Sequence, residues 1–326
     1  MKLASVKNNT KDGQLILVSQ DNANYVDASD IAINMQTAIE NWDAIESDLK
    51  VRYQALNKAD CSNIKATADA ELLAPLPRAW QWLDGSLFLR HGELMQKAFN
   101  IDPIADTDKI PLIYQGAGDN FSGPNDPIVA ASEQDGIDFE GEFGVIVGDI
   151  PMGSSPDFAL EQIKLLVMLN DISFRALAPR EMKTGFGFLQ SKGATAFAPF
   201  AITPDELGAN WIDGRIHLPL TLHRSGNWFG SPSGSEMHFG FHELIAHSAR
   251  TRSLNAGTIL GSGTVSNTSL DVGQACLSEL RAKEMIEEGK PITQFLSSGE
   301  SVHMRTTDTN GKNLFGDINQ TVVVEN

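Results

Sequence analysis

IDFEGEFGVIVG, residues 137–148, is the stretch on which the reading of this chain turns. Phe139, Gly141 and Phe143 alternate with Glu140 and Glu142 just ahead of a β-branched run, a period of two that predicts a strand. Residues two apart on a strand share a face, so both carboxylates are expected to point the same way. Two like charges held that close raise one another's pKa unless a cation lies between them. A Glu-x-Glu on an apolar strand therefore asks for a metal or an arginine.

Two further acids stand in segments that read as ordered. Asp84 opens DGSLFLRHGELMQKAF, where Leu83, Leu87, Leu94 and Met95 have helical spacing, which predicts a helix with Asp84 at its N-cap. His91 then falls two turns on, on roughly the side of Asp84 and Leu87. Asp171 ends the apolar run LLVMLND, where an Asn-Asp pair is as compatible with a turn as with a ligand. Together Asp84, Glu140, Glu142 and Asp171 could form an oxygen-only cage for a divalent ion. Arg175 lies four residues after Asp171, and Lys192 sits between an aromatic-rich loop and a strand. Glu279 alternates with Leu277, which predicts an inward-facing strand position, with a surface ion pair to Arg281 as the plainer alternative.

Outward from these positions, the chain reads as short β runs separated by Gly, Pro, Asn and Asp clusters, among them AFAPFAIT, HLPLTLHR, GTILGSGTVSN and QTVVVEN. That spacing suits a large sandwich or barrel, mostly antiparallel, with a few helices outside it. Residues 1–72 read as a small β-rich unit: strands at Ala4–Val6, Leu15–Val18 and Tyr25–Val26, a hairpin around Lys11-Asp12-Gly13, and helical spacing over Ile31–Tyr53. Pro75 and Pro77 in LLAPLPRAW exclude regular helix and mark the boundary to a second unit, 73–326. The length of 326 residues agrees, at about 150 residues per domain, with roughly two units.

Composition narrows the partners. A formal charge of −17 offers no attraction to nucleic acid or an anionic membrane. A small anionic substrate would instead need a local positive centre, which a bound metal could supply. Cys61 and Cys276 provide no disulfide framework or CxxC pair, the usage of a reduced cytoplasmic protein. The N-terminus has no apolar signal segment, and runs such as Leu165–Leu169 are far too short to span a bilayer. His238, His242 and His247 invite a zinc reading, but a zincin helix needs histidine at position 246, which is Ala246. GFGFLQ, residues 185–190, lacks the third glycine of a nucleotide loop, and no Gly-x-Ser-x-Gly elbow is present.

The stretches WLDGSLFLRH, IYQGAGDNFSGPNDPI, DFEGEFGVIVG, MLNDISFRALAPREM, GFLQSKGATAF, ILGSGTVSN and ACLSEL occur in the order found in the fumarylacetoacetate hydrolase family. Over most of residues 72–326 the chain resembles that family, and most closely its shorter bacterial-type branch. The resemblance implies a mostly β fold with some α, a mixed β-sandwich roll behind a small β-rich N-terminal domain. It also implies a homodimer holding Mg²⁺ or Ca²⁺, with Mn²⁺ a further candidate. Carried over by position, Asp84, Glu140, Glu142 and Asp171 become metal ligands, His91 the general base and Glu279 the residue that orients it. Arg175, Lys192, Tyr114, Thr264 and Ser86 fall at positions implied to contact substrate, a small anionic β-diketo acid.

The implied reaction is metal-dependent hydrolysis of fumarylacetoacetate to fumarate and acetoacetate in tyrosine and homogentisate breakdown. The alternatives are an acylpyruvate hydrolase, or a decarboxylase or hydratase of a related oxo acid. A catalytically silent scaffold is the reading of a different class, and the presence of both His91 and Glu279 speaks against it. Two departures bear on the substrate: Ser86 stands where the family has tyrosine, and Ala178 where it has glutamine.

Overall fold

The computed structural model describes residues 1–99 and 102–325. Its centre is the antiparallel pair Gly141–Val147 and Ile163–Asn170, two strands of almost unbroken apolar sequence. They are apolar throughout because the sheet is covered on both faces. Leu166 and Met168 pack into one hydrophobic core, whereas Leu165, Val167 and Leu169 pack into another.

Among the described residues, these strands belong to an eleven-stranded sheet. Its order from one edge is Lys65–Ala66, Asn24–Asp27, Gln14–Val18, Lys2–Val6, Ala201–Ile202, Ile163–Asn170, Gly141–Val147, Ile259–Gly261, Trp82–Ser86 and Leu112–Gly116, with Ala196–Phe197 pairing Ile163–Asn170 off that path. A five-stranded sheet, Asn227–Gly230, Thr221–Arg224, Ser301–Thr307, Asn313–Val324 and Ile128–Ala130, contributes Leu222, Val302, Met304 and Ile318 to the core that also holds Phe143, Leu166 and Met168. The two sheets thus enclose one core, which is the sandwich the β runs predict.

The first 72 residues contribute both strands and helices. The hairpin around Gly13 forms, with Leu3 opposite Leu17. The predicted helical span appears as Met35–Glu40 and Trp42–Asn57, the first capped by Asn34, whose side chain accepts from Thr37 N–H. Met35, Ile39, Trp42 and Leu49 close over Leu15 and Leu17 and over Leu165 and Val167 of the central strand. Through Lys2↔Ile202 the N-terminal strands continue the large sheet rather than forming one of their own. No described helix is long and apolar enough to cross a membrane.

Two local expectations fail. Asp84 is not a helix cap; it lies inside the strand Trp82–Ser86, between Ile259–Gly261 and Leu112–Gly116. The helix begins only at Leu89, so Asp84 and His91 are brought together by the turn between strand and helix and not by helical periodicity. The apolar stripe misled because Leu83 and Leu87 face the core from a strand and a turn while keeping helix-like spacing. Glu279 is likewise not on a strand: it sits in the first turn of the helix Leu277–Glu288. An acid in a first turn is favoured by the helix dipole, a signal that the Leu277/Glu279 alternation masks.

Candidate active site

Gly261 organises the acidic cluster. It stands in register with Asp84 on one neighbouring strand and with Gly144 on the other. A Cβ at this position would press on Asp84 Oδ1 and lie 3.1 Å from Glu142 Oε2. Its lack of a side chain is what lets carboxylates from the flanking strands meet. Asp171 follows the last residue of Ile163–Asn170, on the face that carries Leu165, Val167 and Leu169. Asp84, Glu142 and Asp171 each offer an oxygen within 4.8 Å of the others, and all three are buried.

Their satisfaction is uneven. Asp84 Oδ1 accepts from Gly263 N–H at 3.1 Å. Asp171 accepts from Tyr114 Oη–H at 2.7 Å and from Thr195 Oγ1–H at 2.8 Å. Glu142 has neither oxygen hydrogen-bonded, and both are buried. Burial, then the neighbouring Asp171, pushes the Asp84 carboxyl up to about 8. Burial, then Asp84, drives Glu142 well above the usual carboxylate range. An unpaired buried carboxylate is costly, and three acidic side chains whose oxygens converge, with both oxygens of Glu142 unpartnered, fit a hard divalent cation.

Glu140, the other half of the Glu-x-Glu, has different partners. Its Oε1 accepts from Arg175 Nη2 at 2.7 Å and its Oε2 from Lys192 Nζ. Burial raises its pKa, but Arg175 and Lys192 outweigh that and hold it well below the ordinary range. Lys192 also donates to Asp171 Oδ2 at 2.6 Å and lies 5.3 Å from the Tyr114 ring centroid. A bridge between Ser173 and Lys192 and the Gly193 N–H to Ile172 carbonyl bond, 3.0 Å, set the lysine there. The expected choice of metal or arginine is therefore divided: Glu140 pairs with Arg175 and Lys192, and Glu142 has no cation of the chain on it.

Beside the acids lies a histidine–carboxylate pair. His91 Nδ1 is 2.8 Å from Glu279 Oε1, so Nε2 remains the ring nitrogen free to take a proton. The plainer alternative for Glu279, an ion pair with Arg281, is not formed; Arg281 donates instead to the Thr293 carbonyl. The helix bearing Glu279 is anchored by Asp138, which accepts from the backbone N–H groups of Leu277 (2.7 Å) and Ser278 (3.0 Å) and from Ser278 Oγ–H (2.8 Å). Asp138 also accepts from Arg175 Nε at 2.8 Å. Neither Asp138 nor Thr195 was singled out from sequence, although Asp138 continues the period of Glu140 and Glu142.

A cavity of about 360 Å³ opens over these groups, lined by Asp84, Ser86, His91, Tyr114, Glu140, Arg175, Lys192 and Thr264. Ala178 also lines it, so both positions that depart from the family pattern face the same space. All the site residues expected from sequence thus gather in one place, with Glu142, Asp171 and Glu279 behind the lining. His238, His242 and His247 join no metal-ligating group among the described residues. The segment after Gly185 is no phosphate cradle: the N–H groups of Leu189 (3.1 Å), Gln190 (2.7 Å) and Ser191 (3.1 Å) all donate to the Glu181 carboxylate.

The family model described as fumarylacetoacetate (FAA) hydrolase C-terminal matches residues 82–323, and that described as fumarylacetoacetase N-terminal domain 2 matches residues 1–78. The chain belongs to the fumarylacetoacetate hydrolase family. Among curated relatives, this family member is 28% identical over 158 residues to a 2,4-didehydro-3-deoxy-L-rhamnonate hydrolase of Sphingomonas sp. (strain SKA58), covering 47% of this chain and 52% of that one. It is 24% identical over 200 residues to the oxaloacetate tautomerase YisK of Bacillus subtilis (strain 168), covering 61% and 63%. The chain spans about half the length of several curated relatives that it matches. Maleylpyruvate hydrolase from Sphingobium sp. SYK-6, solved also with manganese(II) and pyruvate, shares the fold across the full length of both chains, at TM-scores of 0.68 and 0.67 and 16% identity.

Proposed function

We propose that this family member is a metal-dependent hydrolase that cleaves a carbon–carbon bond of a β-diketo acid. Fumarylacetoacetate is the substrate that the sequence resemblance suggests, and an acylpyruvate is the alternative. The observation that carries the reading is the pairing of the His91–Glu279 contact, 2.8 Å, with a carboxylate trio whose Glu142 has no hydrogen-bond partner, both beside one cavity. Asp84, Glu142 and Asp171 would hold the ion, with Glu140 adjoining them. Bound there, a divalent metal supplies Lewis-acid stabilisation for the negative charge that grows on the substrate's oxygens as the bond breaks. Mg²⁺, Ca²⁺ and Mn²⁺ all suit oxygen donors, and the maleylpyruvate hydrolase of the same fold was solved with manganese(II).

The side chains carry the remaining steps. His91 takes a proton from water at Nε2 while Glu279 stabilises the imidazolium through Nδ1–H. The resulting hydroxide adds to the carbonyl carbon. The carbon–carbon bond then breaks, its electron pair leaving with the enolate of the departing fragment, to which the proton on His91 is returned. Arg175 and Lys192 place fixed positive charge beside the cavity, where the substrate carboxylate and the developing oxyanion need it. Tyr114 and Thr264 offer hydroxyls for orientation. The same base without an attacking water would serve proton transfer in an oxo acid, the reaction named for the oxaloacetate tautomerase relative.

The test is incubation of purified protein with Mg²⁺, Mn²⁺ or Ca²⁺ and a panel of β-diketo acids, with identification of products. Two carboxylate-bearing fragments per turnover support hydrolysis; released CO₂ or a tautomerised substrate replaces it with the corresponding oxo-acid reaction. No turnover of any compound by metal-loaded protein supports the silent scaffold.

A further inference from the structure

Besides the carboxylate trio, the structure gathers a second group of metal-ligating side chains. His91, Cys276 and Glu279 each offer a ligand atom within 4.8 Å of the other two, and the set shares no residue with Asp84, Glu142 and Asp171. Two helices bring it together: His91 stands in Leu89–Phe99, whereas Cys276 caps Leu277–Glu288 and Glu279 lies in the first turn of that helix. Cys276 Sγ accepts from Glu279 N–H at 3.4 Å, which holds the sulfur over that turn. A backbone bridge between Cys276 and Glu140, with the Gly141 N–H to Ala275 carbonyl bond at 2.9 Å, fixes the cap against the Glu-x-Glu strand.

The hydrolysis proposed above uses His91 and Glu279 and gives the thiol no task. Burial holds Cys276 well above the ordinary thiol range, so it is a neutral side chain and not a nucleophile. Cys276 is fully buried, but 20% of the His91 side chain is exposed where it lines the cavity, so an ion can reach the set past the imidazole. Thiolate sulfur, imidazole nitrogen and carboxylate oxygen are the donor types of tetrahedral zinc, with a water as fourth ligand. Ligand atoms around such an ion lie roughly 3–4 Å apart, so only modest shifts of the three side chains are needed. Mg²⁺ and Ca²⁺ prefer the all-oxygen trio, and the sulfur turns the preference of the second set to softer ions.

We propose that His91, Cys276 and Glu279 form a second, inhibitory site for a thiophilic divalent cation of the Zn²⁺ class. Cys276 gives its thiol proton to solvent and binds the ion through Sγ, and Glu279 binds it through Oε1. The Nδ1 proton of His91 passes by way of solvent to Nε2, which frees Nδ1 as the third ligand. Nε2, now carrying a proton, can no longer take one from water. Binding of the ion stands on the donor set alone, whereas the loss of turnover rests on the reading of His91 as the general base.

Cys276→Ser isolates the soft donor, because serine is a preferred N-cap and keeps an acceptor for Glu279 N–H. Mg²⁺-loaded protein is titrated with Co²⁺, whose bond to a thiolate gives a near-ultraviolet charge-transfer band, and then with Zn²⁺. The band should form in excess Mg²⁺, be displaced by Zn²⁺, and be missing from Cys276→Ser protein that melts at the same temperature. His91→Ala, a second and independent variant, should weaken Co²⁺ binding by at least the roughly tenfold that loss of even a supporting contact costs a metal site. On a β-diketo acid that is turned over, Zn²⁺ added over excess Mg²⁺ should inhibit the unaltered protein, and the serine variant should need about tenfold more or beyond. No band, or an equal band in Cys276→Ser that would put the metal on Cys61, overturns the site. Equal inhibition of both proteins puts the zinc on the carboxylate trio and overturns the inhibitory role. Absence of turnover on every β-diketo acid removes the hydrolase reading and the inhibition with it, while the band still decides the site.

Discussion

On the proposed reading His91 and Glu142 divide the chemistry between them, and each can be tested separately. His91 contacts Glu279 and none of the three converging carboxylates. His91→Ala should therefore lower turnover by about a thousandfold, within the range for loss of a general base, while calorimetric metal affinity stays within a factor of two or three. Retained turnover would remove the base assignment. Asp84 and Glu142 both have folded pKa values raised by burial first and by neighbouring carboxylates second. A carboxyl raised in this way favours folding fully below its unfolded value near 4, and that contribution is lost as pH rises through about 8. Metal-free protein should then melt at a lower temperature at pH 8 than at pH 6, and Mg²⁺ should narrow the gap, read by differential scanning fluorimetry. Metal binding at pH 7 should also release protons, detected as a dependence of calorimetric heat on buffer ionisation enthalpy.

At the scale of elements, the site depends on strands that approach without side chains between them and on a helix fixed at its start. Gly261→Ala should weaken metal binding by roughly 10–100-fold, the range for disturbed supporting contacts, because the new Cβ lies where Asp84 and Glu142 converge. Asp138→Ala removes the acceptor for Leu277, Ser278 and Arg175 together. A loss of about 3 kcal/mol in chemical denaturation is expected, with a larger fall in turnover than in metal affinity. These elements also show what was legible in the chain. The Glu-x-Glu strand was read correctly because period-two alternation is local and both neighbouring strands are apolar. Asp84 and Glu279 were placed on the wrong kind of element, since Leu83 and Leu87 mimic helical spacing and Leu277 and Glu279 mimic a strand. Both nevertheless belong with the expected residues, because short motifs mark which side chains matter even where the local backbone is misread. Thr195 could not be found in this way: its bond to Asp171 depends on tertiary placement.

At the scale of the whole molecule, the proline-marked division near residue 72 does not divide the sheet. Lys2–Val6 pairs with Ala201–Ile202, and the helices of the first 72 residues cover the face of the central strands opposite the sandwich core. Expression of residues 73–326 alone should consequently give insoluble or molten protein, judged by near-ultraviolet circular dichroism and size exclusion; a soluble, cooperatively melting fragment would show that this cover is dispensable. Such a dependence was not readable from a stretch of strands whose partners lie nearly two hundred residues away.

Lys192 has a consequence beyond its charge. Its ammonium bridges Glu140 and Asp171, so it behaves as an internal counter-ion that competes for the oxygens next to those a divalent ion would claim. Displacing it from Asp171 would cost part of a bound ion's free energy, and the released ammonium could then meet an anionic ligand in the cavity. Ion and ligand would in this way be thermodynamically linked through one side chain, and each would raise the affinity of the other by the same factor. On the proposed reading, the affinity for a divalent ion measured without ligand should be lower than that measured with an oxo acid present.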